Sequence, residues 1–323
     1  MLKHFNENQF SKAELITAIN LLKKEKNAVI MAHYYQQNDI QDIADFVGDS
    51  LALAQQARKT KADIIVLAGV HFMGETAKII SPEKKVLIPD MNAGCSLADS
   101  CPPNDFKEFV DKHPGYTVIT YVNTSVEIKA LSHMVVTSTN AKAIVDSYPL
   151  NEKIIFGPDR NLGNYINSIT GRKMVLWDGA CHVHEKFSIE KIVKLKKENA
   201  DALIIAHPEC KHSLLVMADF IGSTAALLKF TTNSDKQKFI VATESGILHQ
   251  MQKLSPAKIF IPAPPNDSTC GCNDCEFMKL NTLQKIYDCL NNERPEIIIN
   301  ENLRLKALTS IENMLELSNK IGL

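Results

Sequence analysis

No apolar run in the sequence is long enough to cross a membrane. The longest, such as Ile64–Val70, have the length of a buried strand, against the ~18 residues of a span. Charge of one sign is lacking as well. The chain has 36 basic and 37 acidic residues, a formal net charge of −1, which gives no electrostatic reason to expect a nucleic-acid or membrane partner. Low-complexity tracts and linkers are absent, and the one compositional shift is the rigid stretch Pro262-Ala263-Pro264-Pro265-Asn266-Asp267-Ser268-Thr269. The opening residues, Met-Leu-Lys-His-Phe-Asn-Glu-Asn, carry no signal-peptide core, so a cytoplasmic location is expected. Reductants there keep thiols unpaired, and the eight cysteines become metal ligands or buried apolar residues rather than disulfides. Cys101, Cys210 and Cys289 read as the buried kind.

What the sequence does contain is a threefold echo. Shifts of 88 and 174 residues bring His33 onto Tyr121 and His207, Ser50 onto Ser138 and Thr224, and Gly69 onto Gly157 and Thr243. Ala44-Asp45-Phe46-Val47-Gly48-Asp49-Ser50 returns as Ala218-Asp219-Phe220-Ile221-Gly222-Ser223-Thr224, and a cysteine closes each copy: Cys95, Cys181 and Cys275. Every copy carries three short apolar runs, which predict strands at Ala28–Ala32, Ile64–Ala68 and Val86–Ile88 in the first and at corresponding positions in the others. Helical stretches alternate with them, including Asp39–Lys59, Ile189–Glu198 and Phe277–Leu290. The expected fold is α/β: three pseudo-symmetric three-layer αβα domains with parallel sheets around a central site. The repeat divides the chain into 1–98 with a C-terminal return of 293–323, then 99–185, then 186–292.

Ligands of open parallel sheets bind beyond the carboxyl ends of the strands. His33, Tyr121 and His207 each follow a predicted first strand. The triplets Gly48-Asp49-Ser50, Thr137-Ser138-Thr139 and Gly222-Ser223-Thr224 each precede a helix, where hydroxyls and free N–H groups can receive a carboxylate or phosphate. A single triplet reads most simply as an N-cap; recurrence in register with a histidine or tyrosine points to a ligand. His4, His113, His133 and His249 lack that context and read as surface or packing residues.

Cys270-Gly271-Cys272-Asn273-Asp274-Cys275 is a C-x-C-x-x-C pattern, and zinc sites also use close cysteine pairs. One cysteine per repeat instead points to a shared centre. Three thiolates would leave one iron of a cubane [4Fe–4S] cluster open as a Lewis acid. Zinc staples and plain buried thiols are the alternatives, and an aconitase-like hydro-lyase is a second enzyme class for an open iron.

The chain resembles the quinolinate synthase A family over essentially its whole length. The resemblance rests on Ala32-His33-Tyr34-Tyr35-Gln36, Tyr121-Val122-Asn123, Thr137-Ser138-Thr139-Asn140-Ala141, Phe156-Gly157-Pro158-Asp159-Arg160, His207-Pro208-Glu209-Cys210, Ala242-Thr243-Glu244 and Cys275-x-x-Met278-x-x-Asn281-Thr282-Leu283. It implies one [4Fe–4S] cluster per chain on Cys95, Cys181 and Cys275. It implies condensation of iminoaspartate with dihydroxyacetone phosphate to quinolinate, phosphate and water in NAD biosynthesis, with a possible link to L-aspartate oxidase. By resemblance, His33, Ser50, Ser138 and Thr224 anchor the dicarboxylate. Tyr121 and Asn123 touch substrate near the open iron, while Tyr35, His207 and Glu209, with Tyr121, form the acid–base group. His184 is expected to orient substrate or the cysteine loop.

Overall fold

The computed structural model describes residues 10–266 and 273–323, so Cys270 and Cys272 lie outside the described residues. Three four-stranded parallel sheets carry the fold. The first holds β1 (Ala28–His33), β2 (Phe46–Gly48), β3 (Ile64–Ala68) and β4 (Lys85–Leu87) in the order β2-β1-β3-β4. In the second, β5 (Thr117–Tyr121), β6 (Met134–Val136), β7 (Ile154–Gly157) and β8 (Val175–Leu176) repeat that order as β6-β5-β7-β8. The third repeats it again with β9 (Leu203–Ala206), β10 (Phe220–Ile221), β11 (Lys238–Ala242) and β12 (Ile259–Pro262), ordered β10-β9-β11-β12. Helices cover the sheets, which is the three-fold α/β layering expected from the repeat.

Two helical expectations are corrected. Asp39–Lys59 is not one helix: Asn38–Ile43 ends before β2, and a second helix starts at Ser50 and runs to Lys59. The break is made by Asp45, whose N–H donates to Ile30 O at 2.9 Å while its carboxylate accepts from Ile30 N–H at 2.8 Å. Asp219 does the same to Ile204 at 2.7 and 2.8 Å. In the second unit His133 takes this place: its N–H donates to Val118 O at 2.9 Å and its Nδ1 accepts from Val118 N–H at 2.9 Å. His133 is thus a backbone clamp with the same context as the two aspartates. Asp45→Ala is expected to cost about 1 kcal/mol, read as a lower urea midpoint at unchanged slope.

The second correction concerns Phe277–Leu290, which divides into a turn at Glu276–Lys279 and a helix at Leu283–Asn292. Asn281 leaves the helical path to donate to Gly69 O at 2.8 Å, and the Thr282 hydroxyl caps Lys285 N–H at 3.2 Å.

The shared word around Gly48 and Gly222 now has a steric cause. A Cβ on Gly48 would lie 2.8 Å from the Phe46 ring and 2.9 Å from Ala52 Cβ. One on Gly222 would lie 2.9 Å from both the Phe220 ring and Ala226 Cβ. The short strand and the following helix approach so closely at that turn that only glycine fits.

Alternate strand residues face opposite cores. Met31, Ile65 and Leu67 join Ile119, Val136 and Phe156 in one large core common to the first and second units, whereas Ile30, Ala32 and Val66 face a separate cluster. The third unit has its own cores on either side, with Ile204 and Ile240 on one and Ile205 and Val241 on the other. After the third unit the chain returns. Ile297 N–H donates to Val86 O at 2.9 Å beside the first sheet, and the helix Glu301–Lys320 buries Ala307, Ile311, Met314 and Leu315 in the core common to the first two units. That helix also packs on Val126–Leu131 and β6, where Ser310 Oγ donates to Lys129 O at 2.9 Å.

Candidate active site and metal centre

Each cysteine of the repeat sits at the same local position, the N-cap of a four-residue helical turn: Cys95 before Ser96–Asp99, Cys181 before His182–Glu185, Cys275 before Glu276–Lys279. Backbone N–H groups two or three residues on therefore point at each sulfur: those of Leu97 and Ala98, of His184, and of Phe277 and Met278. This arrangement favours a thiolate. Burial works against it, pushing the thiols of Cys95 and Cys275 up to about 12 and about 11 and that of Cys181 well above its usual value. Mutual repulsion between Cys95 and Cys275 and between Cys181 and Cys95 adds to the effect. Three partly buried, unpaired thiols with converging amide donors are a poor home for free thiolates and a good one for thiolates neutralised by metal.

The cysteine loops are braced from the sheets. Asp159, just after β7, accepts from Leu162 N–H at 2.7 Å and from Cys181 N–H at 3.3 Å. Its carboxyl is pushed up by burial and by the charge of Glu209. Just after β11, Glu244 accepts from Cys275 N–H at 3.2 Å, from Gly246 N–H at 2.7 Å and from Lys279 Nζ at 2.8 Å. Burial raises its carboxyl to about 7 against those donors. Ser96 Oγ and His182 Nδ1 lie 2.5 Å apart and tie the first loop to the second.

All twelve site residues expected from the sequence line one cavity: His33, Tyr35, Ser50, Cys95, Tyr121, Asn123, Ser138, Cys181, His207, Glu209, Thr224 and Cys275. It lies where the strand ends of the three sheets meet. Ser50 and Thr224 open the helices Ser50–Lys59 and Thr224–Asn233; the neighbouring Asp49 and Ser223 are their N-caps, accepting from Ala52 N–H at 3.0 Å and Ala226 N–H at 3.3 Å. Thr139 ties the three triplets together, donating to Asp49 Oδ2 at 2.7 Å and lying 2.8 Å from Ser223 Oγ. Ser223 is thus a cap and a brace, absent from the cavity lining.

His33 and His207 share a tautomer. Nδ1 of each accepts a backbone N–H two residues on, from Tyr35 at 3.2 Å and Glu209 at 3.4 Å, leaving Nε2 to carry the proton. Burial, more than any neighbour, drives both imidazoles down to about 3, so they are neutral at physiological pH. Folding therefore excludes two protons that the unfolded chain binds below its ordinary histidine value. Between about 6.5 and about 3 the fold is expected to lose stability steadily as pH falls, and His33→Asn should flatten that slope in thermal melts taken across the range.

Two proton-bearing chains meet at His184 beside the cavity. In one, Tyr35 Oη lies 2.7 Å from Thr243 Oγ1 and 2.8 Å from Thr224 Oγ1, and His184 Nε2 is 3.1 Å from Thr243 Oγ1. In the other, Tyr121 Oη donates to Glu209 Oε1 at 2.6 Å, while His184 Nδ1 lies 3.0 Å from Glu209 Oε2. Burial alone would raise the Glu209 carboxyl; His184 beside it and the hydrogen bond from the Tyr121 hydroxyl outweigh burial and hold Glu209 below the ordinary carboxylate range. Both phenols are pushed well up, first by burial and then by Glu209. At neutral pH the tyrosines are proton donors and Glu209 is an acceptor.

Ligand atoms of Cys181, His184 and Glu209 all fall within 4.8 Å of one another. Several polar atoms are also buried without partners among the described residues, including Asn123 Oδ1 and Thr137 Oγ1 of the cavity lining. Such a site is built to receive something. Sequence reasoning assigned no role to Thr243, Glu244 or Asp159, although all three lie in the quoted motifs. Their work is to brace a cysteine or a phenol, a role that neither residue type nor spacing announces.

Residues 17–316 match the family model described as quinolinate synthetase A protein. Among similar curated proteins, the quinolinate synthase of Chloroherpeton thalassium is 57% identical over 308 residues, covering 95% of this chain and 96% of that protein. The quinolinate synthase of Trichormus variabilis is 60% identical over 306 residues, covering 95% of this chain and 94% of that one. On that match and on the threefold site, the chain belongs to the quinolinate synthetase A family of enzymes.

Proposed function

We propose that the chain condenses iminoaspartate with dihydroxyacetone phosphate to give quinolinate, phosphate and two waters, as a step in de novo NAD biosynthesis. The observation that carries this reading is the meeting of three repeat-derived thiols with neutral imidazoles, hydroxyls and a tyrosine–glutamate pair in one buried cavity. The thiols of Cys95, Cys181 and Cys275 would hold one [4Fe–4S] cluster. When bound, it supplies a Lewis-acidic iron with no cysteine ligand, able to polarise a substrate oxygen.

The protein's own groups do the rest. The cavity lining contains no lysine or arginine among the described residues, so anionic substrate is held by directed neutral donors. These are Nε2–H of His33 and His207, the hydroxyls of Ser50, Ser138 and Thr224, and the Asn123 amide. Such donors bind carboxylate in a low-dielectric site and do not fix it as rigidly as a salt bridge would. Condensation and dehydration need a proton taken from carbon and protons given to departing oxygens. Glu209 is charged and poised to accept, and Tyr121 is protonated and hydrogen-bonded to it. Tyr35 can donate and recover its proton through Thr243 and His184. Iminoaspartate must come from oxidation of aspartate, so an L-aspartate oxidase is the expected supplier. A cytoplasmic site of action accords with the reduced thiols.

The test is anaerobic purification followed by visible spectroscopy, metal analysis and turnover. A brown protein with about four irons per chain and quinolinate formation requiring both substrates is expected. A colourless zinc protein would overturn the cluster. Turnover of a hydroxy-dicarboxylate alone would instead identify a hydro-lyase.

A further inference from the structure

Lys129 is the one fully buried lysine among the described residues. No described carboxylate lies within 4.0 Å of its Nζ. Burial pushes its amine down to about 8, opposed mainly by the charge of Glu75. Glu75 is itself buried, with Oε2 unpartnered, and its carboxyl is raised by burial. A loosely paired buried charge costs stability that an apolar residue would not. Packing therefore does not account for the lysine.

Its contacts point to the cavity. Lys129 Nζ donates to Thr124 O in a short hydrogen bond. Thr124 then closes the strand end: its hydroxyl donates to Tyr121 O at 3.1 Å and its N–H to Val122 O at 2.8 Å. Tyr121 and Asn123, the cavity residues of this segment, project from that knot. The same ammonium lies 5.5 Å from the centroid of the Phe72 ring, which is part of the cavity wall. Among the described residues the wall has no lysine or arginine, so a charge immediately behind an aromatic ring is well placed to raise the potential inside.

We propose that Lys129 is a positioning residue: its buried ammonium clamps the Thr124 carbonyl, holding Tyr121 and Asn123 at the cavity, and supplies positive potential from behind Phe72. The proposal rests on the reading of Tyr121 and Asn123 as substrate-facing groups. Its competitor is a structural role, in which Lys129 only neutralises Glu75.

The experiment compares wild type, Glu75→Gln, Lys129→Met and the double variant Lys129→Met/Glu75→Gln. Lys129→Met alone leaves Glu75 buried without that ammonium and destabilises the fold; the double variant removes both charges and carries the test. It is expected to melt within a few degrees of wild type and load the same iron. Its kcat should fall about tenfold or more, the scale of a lost hydrogen bond from a charged donor. Amides of residues 121–124 should exchange hydrogen faster, while Glu75→Gln alone keeps wild-type kcat. A double variant with wild-type kcat would overturn the proposal. If wild type does not make quinolinate, the functional reading fails separately, and unchanged protection of residues 121–124 in the double variant would still sink the clamp.

Discussion

Cys181→Ala is expected to give a folded protein with no cluster and no detectable turnover. The sulfur lies at the most connected point of the centre, with ligand atoms of His184 and Glu209 within 4.8 Å of it and of each other. Its N–H is held by Asp159 at 3.3 Å, so the loop keeps its position when the sulfur is removed. Loss of a small, partly buried side chain costs on the order of 1 kcal/mol, too little to unfold the chain. On the proposed three-thiol site metal binding falls much further, because two thiols cannot close it. Iron analysis and the visible spectrum read the first outcome, and thermal melting the second. Full iron content in Cys181→Ala would mean that other donors hold the metal, and Cys95→Ala and Cys275→Ala would then have to be compared with it.

Glu209→Gln should lower turnover by about 10²- to 10⁴-fold while leaving iron content intact. Glu209 is buried, held charged, and bonded to Tyr121 at 2.6 Å. The amide keeps the shape and can still accept the phenol's hydrogen bond. It can no longer take a proton at neutral pH, so the loss falls on kcat and not on packing. Tyr121→Phe separates the roles further. It leaves one carboxylate oxygen without its donor, at a cost of about 1.5–3 kcal/mol in stability, and it removes the proton itself. Comparable kcat values for Glu209→Gln and wild type would rule out proton transfer through this pair.

The legible part of the fold is the part that repeats. Apolar runs at the first and second strands recur because parallel strands covered on both faces need continuous apolar sequence, and these were placed within a residue or so. The strands Phe46–Gly48, Met134–Val136 and Phe220–Ile221 were missed. A strand of two or three residues has no period to detect, and it exists only because Asp45, His133 and Asp219 pin its neighbour's backbone. The equivalence of His133 with two aspartates is invisible to residue type: an imidazole nitrogen and a carboxylate oxygen accept the same N–H.

The candidate site divides in the same way. Its twelve expected residues were legible as recurrences and motif words, and the structure brings them to one cavity. The bracing residues were not. Lys129 lies in the helix Val126–Leu131, where a lysine reads as solvated; it is buried where the helix Glu301–Lys320 packs over that segment, with Ser310, 181 residues later in the chain, donating to Lys129 O. Glu244 is an ordinary glutamate until the Cys275 loop and Lys279 fold onto it.

By itself, then, the sequence determined a threefold α/β chain with a cysteine closing each copy, because periodicity and register are properties of local sequence. Tertiary structure alone decided which groups are charged, which nitrogen carries a proton and which cation stands behind the cavity. Those depend on desolvation and on partners brought in from distant segments, and no local window contains them.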